Sequence, residues 1–212
     1  MPMCLIAFSF VSCSDDDDDS SSVSTADDGY AVSGKINGHY YVDLGLSVKW
    51  ATCNIGADSP EDYGNYYAWG ETETKDSYTT SNSVTYHVEI MDDIAGDADY
   101  DAATANWGGS WRMPTYAEMR ELKNNCTWTW TTENDVNGYL VTGSNGNSIF
   151  LPAAGDDNGS SAGSVGSYWS STPDSSKAYY YYSYRMYFDS SGHYVYAEGS
   201  RSSGHTVRPV SE

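Results

Sequence analysis

Residues 166–210, GSYWSSTPDSSKAYYYYSYRMYFDSSGHYVYAEGSRSSGHTVRPV, carry nine tyrosines, eleven serines and no asparagine, while the rest of the chain holds twelve asparagines. Ser190-Ser191-Gly192 and Ser202-Ser203-Gly204 divide the stretch into three strand-like pieces. Side chains alternate across a strand, so Tyr180, Tyr182, Tyr184, Met186 and Phe188 share one face. Tyr179, Tyr181, Ser183, Arg185 and Tyr187 share the other. The first set is expected to face inward and the second to meet solvent or a partner. Tyrosine offers broad amphipathic contact at small entropic cost, and serine adds adaptable hydrogen bonding, which is the chemistry of recognition loops. Mutual packing of a Tyr-rich antiparallel sheet is the plainer reading.

Upstream, Thr115-Tyr116-Ala117-Glu118 is a capping box after Pro114, and Tyr116, Met119, Leu122 and Lys123 recur at helical spacing, so a helix is expected over 115–124. Residues 138–142 and 148–151 flank Gly143-Ser144-Asn145-Gly146 as a hairpin. Tyr40 to Leu44 and Val48 to Cys53 read as strands, Ser59-Pro60-Glu61-Asp62 as the opening of a helical turn, and 155–167 as a loop. The sum is an α+β protein with few short helices, small antiparallel sheets and long loops.

The N-terminus points to export. Leu5 to Cys13 is a short apolar run ending on a small residue and a cysteine. It is too short to span a bilayer as a helix, which takes about 20 residues. Phe10-Val11-Ser12-Cys13 resembles a bacterial lipobox, making Cys13 the expected lipidation site, with 1–13 as signal peptide. Ser14 and the run Asp15 to Asp19 resemble the export signal of surface lipoproteins, and 14–34 reads as an acidic Ser/Asp linker to a single domain at 35–212. The expected location is the outer membrane of a Gram-negative bacterium, exposed at the cell surface, with the membrane met through the lipid anchor only. An oxidising compartment permits a Cys53–Cys126 disulfide, with two buried free thiols as the alternative. Four scattered histidines and no Cys-x-x-Cys motif argue against zinc, and no metal or other cofactor is expected. Asp97, Asp99 and Asp101 alternate as calcium ligands can, without the glycine and closing glutamate of an EF-hand, so calcium there stays open.

A formal charge of -20 excludes nucleic acid as a natural partner, because phosphate binding needs clustered Lys and Arg. The C-terminal stretch escapes that acidity, with Lys177, Arg185, Arg201 and Arg208 against Asp174, Asp189 and Glu198.

Six ordered blocks resemble one family. They are Val42 to Ala57, Tyr66 to Thr72, Trp107 to Thr115 (WGGSWRMPT), Phe150 to Gly155, Tyr168 to Thr172 and Gly204 to Val210. Together they are similar to the major paralogous (FISUMP-type) domain of bacterial surface lipoproteins. That resemblance implies a C-type-lectin-like fold, close to the ligand-binding domain of variable proteins of diversity-generating retroelements. It further implies that Trp169, Phe188, Gly204, Val207, Arg208 and Pro209 are framework. Tyr179, Tyr181, Ser183, Arg185, Tyr187, His193, Tyr194, Tyr196, Ser200, Arg201 and Ser202 are then the candidate ligand-binding residues, with Arg185 and Arg201 as charged donors. Lys177, Met186 and Glu198 are out of reach of adenine-directed change from an Asn codon, so either these three are constant or the segment is not diversified.

The expectation is a non-catalytic surface module binding a protein or glycan on another cell or host surface. The alternatives are a carbohydrate-binding, lectin-like adhesin and a structural subunit of a coat or fibre. Late reactive cysteines, as in the formylglycine-generating oxidase of the same broad fold, are missing, since no Cys follows Cys126.

Overall fold

The computed structural model describes residues 32–90, 92–176 and 180–212. The signal peptide, Cys13 and all but the end of the linker lie outside these residues, as do Lys177 and Tyr179.

Three small antiparallel sheets and two short helices make up the molecule. The first sheet has the order β1-β2-β3-β10, from Gly34–Ile36, His39–Val42, Lys49–Ala51 and Val210–Ser211. Val210 pairs with Trp50, so the two ends of the described chain share one sheet. Helix α1, Ala102–Trp107, and helix α2, Tyr116–Asn125, follow β3 in the chain. The second sheet is β4-β5-β6, from Thr127–Glu133, Val136–Thr142 and Ser148–Pro152. The third is β7-β8-β9, from Val165–Pro173, Tyr182–Asp189 and Gly192–Ser200. This is the expected α+β class. The 138–151 hairpin and the 115–124 helix form where the sequence places them, whereas Ser59 to Asp62 closes as a turn, the Asp62 carboxylate accepting from the amides of Asp58 and Ser59. Helix α1, strand β4 and the length of β7 were not expected from the sequence.

Helix α2 starts on its capping box: Thr115 Oγ1 accepts from the Glu118 amide, and Glu118 accepts from the Thr115 amide at 2.8 Å. Its Met119 and Leu122 are buried against β7, β8 and β9. The Arg112 guanidinium grips the Glu118 carboxylate with both amino nitrogens, at 2.9 and 2.6 Å. Helix α1 is capped by Asp101, which is fully buried. Its carboxylate accepts from the amides of Gly96, Ala103, Thr104 and Met113, at 2.8–3.0 Å. An aspartate so committed to amides is a cap and a cross-brace; this use, not ion binding, accounts for Asp101.

The core has two main chambers, and β7 is the wall between them. Tyr168 points into one with Phe188, Met186, Met119, Leu122, Trp50 and Val141. Trp169, its neighbour, points into the other with Trp69, Trp107, Trp111, Met113 and Val207. Each buried indole removes roughly 150–250 Å² from water, about 4–6 kcal/mol of gross transfer energy before entropy is counted. The indole N–H groups staple separate parts of the chain: Trp69 donates to Ser170 O, Trp169 to Tyr67 O and Trp111 to Ile36 O. The outer edge of β7 is closed by the C-terminal segment, where the Trp169 amide donates to Thr206 O.

One expectation fails outright. Cys126 is a free, half-buried thiol beside the first chamber, so the Cys53–Cys126 disulfide is not formed. Cys53 is buried in a separate small cluster with Ala57, and the two cysteines belong to different packing environments. Burial, with the nearby Glu121 charge, pushes the Cys126 thiol up to about 11.

Candidate functional site

The third sheet sorts the candidate residues by face. Met186 and Phe188 are buried in the first chamber, and Tyr184 lies on Tyr116 of α2 with ring centroids 4.1 Å apart. Register carries that face across to β9, where His193 opposes Phe188 and Val195 opposes Met186. His193 stacks on Trp128 at 4.3 Å and 9°, so it belongs to the α2 side of the sheet and not to the face of Arg185. Burial, with Lys123 nearby, lowers its pKa.

The opposite face carries Arg185 and Tyr187 from β8, with Tyr196 and Tyr194 as their partners on β9. Tyr194 is 49% exposed, and Tyr187 and Tyr196 are half-buried with centroids 6.3 Å apart. The Arg185 guanidinium lies over both of these rings, 5.4 and 5.5 Å from their centroids.

Arg185 is held from below. It forms an ion pair with Asp156, donates to Ser167 Oγ at 2.7 Å, and approaches His205 Nε2 at 3.5 Å. An arginine donating to Nε2 requires a lone pair there, so the imidazole proton resides on Nδ1, which faces Asp156 Oδ1 at 3.4 Å. His205 is almost wholly buried; desolvation first, and then the Arg185 charge, bring its pKa down to about 3. It is a neutral spacer. Asp156 reaches this position because Gly155 takes φ +93, where a Cβ would lie 2.6 Å from the backbone of Gly159.

The other end of this face is covered. Ser183 is fully buried, Tyr181 lies against Tyr86 and His87, and Ser202 is buried. Arg201 is fully buried as well, stacked 4.2 Å over Trp69. It donates to the carbonyls of Val88, Ile90 and Tyr182 and to Ser183 Oγ. Desolvation lowers its pKa to about 10, which leaves it charged. Arg201, Ser183 and Ser202 are therefore interior, contrary to their expected contact role, and Ser200 is half-buried with its hydroxyl 3.0 Å from that of Ser202. The physical reason is a bulge: between Ser183↔Gly199 and Arg185↔Tyr196, β9 spends one residue more than β8. The bulge bends the strand over Trp169, where a Cβ on Gly199 would meet the indole at 2.3 Å. Of the expected contact residues described, Arg185, Tyr187, Tyr194 and Tyr196 are thus brought together.

Asp156, Ser167 and His205 support the site and were missed by sequence reading, because their role arises only where three distant segments converge. The residues expected as framework are all buried: Trp169, Phe188, Gly204, Val207, Arg208 and Pro209. Arg208 donates to Asn54 Oδ1 and to the carbonyls of Ala51 and Thr52, tying the last sequence block to the first.

Beyond the bulge, an open groove of about 510 Å³ is lined by Asp174, Ser176, Tyr182, Ala197 and Glu198. Among the described residues no cluster of three or more His, Cys, Asp or Glu side chains is arranged to hold a metal. No described helix is long and apolar enough to cross a membrane.

Residues 117–210, from α2 into β10, match a family described as a domain of unknown function, DUF8237. No curated protein and no solved structure matches the chain.

Proposed function

We propose that this chain is a non-catalytic binding module of C-type-lectin-like fold, anchored at the outer surface of a Gram-negative bacterium through a lipidated Cys13. Its working surface is the outer face of β8 and β9, and its ligand is a protein or glycan on another cell or host surface. The observation that carries this reading is the placement of Tyr187, Tyr194 and Tyr196 on one accessible face, with Arg185 beneath two of their rings, over a sheet whose other side is core. Aromatic side chains presented on a rigid scaffold are the usual anchors of an interface. Burial of all six framework positions supports the lectin-like reading and the view that the 166–210 segment varies over a constant frame.

The test is a peptide-display selection run in parallel on the wild-type domain and on a Tyr187→Ser/Tyr194→Ser/Tyr196→Ser variant. Circular dichroism should show the variant folded, and sequences enriched by the wild type should be absent from the variant's pool. Identical pools from both proteins would exclude this face as the binding surface. For the anchor, a clickable palmitate analogue should label the wild type and not Cys13→Ala.

A further inference from the structure

The chemistry of the same face selects its partner. Two arginines stood ready in the sequence to meet an anionic ligand, and neither is available. Arg201 is fully buried among three carbonyls and an indole. Arg185 is 11% exposed and is already neutralised by Asp156. The carboxylates around the tyrosines differ. Asp189 follows Tyr187 by two residues on β8 and so shares its face, and its oxygen Oδ1 accepts from the amide and hydroxyl of Ser191. Glu198 is exposed in the β9 bulge, and with Asp174 it lines the groove beside Tyr182, which lies on the Tyr184 side of the sheet, across the β9 edge from the tyrosine face. Proximity is recorded in the phenols themselves. Beyond the effect of burial, Asp189 and Asp156 raise the pKa of Tyr187, and Asp156 and Glu198 raise that of Tyr196.

Resting on the binding reading above, we propose that the ligand is a basic segment of another protein, with Lys or Arg side chains spaced between apolar ones. Its apolar groups cover Tyr194 and Tyr196, one cation meets Asp189, and another reaches round the β9 edge into the Asp174–Glu198 groove. Tyrosine faces attract cations and phosphate-like anions gain nothing from them. The groove is open and roomy enough for a Lys or Arg side chain to enter stem first, with carboxylates waiting at its walls. The charge of -20 steers such a segment toward the molecule and repels a second copy of this chain.

Three fluorescent peptides serve as probes: alternating Lys-Val, alternating Glu-Val and alternating Ser-Val, each measured by anisotropy against the full-length protein. The Lys-Val peptide should bind, weaken on raising salt to about 1 M, and lose about tenfold in affinity in Asp174→Asn/Asp189→Asn/Glu198→Gln. An equal reduction of charge at Asp58→Asn/Asp99→Asn/Asp135→Asn, exposed on other elements, should change affinity less than about twofold. Equal losses in both triple variants would mean attraction to the acidic body alone and would overturn the proposal. So would failure of the Lys-Val peptide to bind, or preference for the Glu-Val peptide. A Ser-Val peptide that binds as well as Lys-Val, and is lost in the tyrosine variant, would overturn the charge assignment while leaving the binding face intact.

Discussion

Arg201 and Arg185 lie sixteen positions apart and begin as equals in the sequence; their surroundings give them opposite roles. Replacing Arg201 by Met leaves the carbonyls of Val88, Ile90 and Tyr182 without their donor in a dry interior. The expected cost is on the order of 3–5 kcal/mol, read as a shift of the urea midpoint. A variant as stable as the wild type would mean that Arg201 is not the strut described. His205 sets a pH dependence. Its pKa falls from the ordinary value near 6.5 to about 3 on folding, so the unfolded chain binds the extra proton between those values. The stability it contributes is full above about pH 6.5 and declines as pH falls toward 3. In His205→Gln the slope of stability against pH across that window should be shallower than in the wild type. Equal slopes would show that His205 protonates as readily folded as unfolded.

At the scale of elements, the β8 alternation is the clearest example of what can be read and what cannot. Inward Met186 and Phe188 and outward Tyr187 follow from period two alone. Phe188→Ala should cost about 3–5 kcal/mol, because the ring is fully buried among Tyr168, Tyr139 and Trp128. Tyr194→Ala, on the exposed face, should stay within about 0.5 kcal/mol of the wild type by the same denaturant measurement. Similar losses for the two would mean that the faces are not distinct. Ser183 obeys the same period and still lies inside, because the β9 bulge and the 85–90 segment cover that end of the sheet. Helix α2 was legible to within a residue at each end, since a capping box and a hydrophobic spacing are local chemistry. Its Glu118 is pushed up by burial, but the Arg112 pair and the Thr115 bonds outweigh this and hold its pKa below the ordinary value. That contribution is present above about pH 4.3 and disappears in stronger acid.

For the whole molecule, the dominant fact is charge spread over a body whose cohesion comes from indoles and phenols. Thirty acidic against ten basic residues repel one another in the compact state. Salt screens that repulsion, so moving from about 10 mM to about 500 mM NaCl should raise Tm by about 2–4 °C, equivalent to about 1 kcal/mol. A falling Tm would show that ion pairs such as Arg112–Glu118 outweigh the repulsion.

The sequence by itself determined the class of structure, the α2 helix, the β5–β6 hairpin and the two faces of β8, because caps, turn residues and side-chain alternation act over a few residues. It also singled out Trp169, Val207 and Arg208, each of which lies buried. Tertiary structure alone decided which half of the tyrosine face stays open, that Arg185 is bound to Asp156 and His205, that Arg201 is a buried strut, and that Cys126 stays unbridged to Cys53. Those outcomes depend on how segments far apart in the chain converge across β7, and on the desolvation that follows, neither of which leaves a periodic trace in the order of residues.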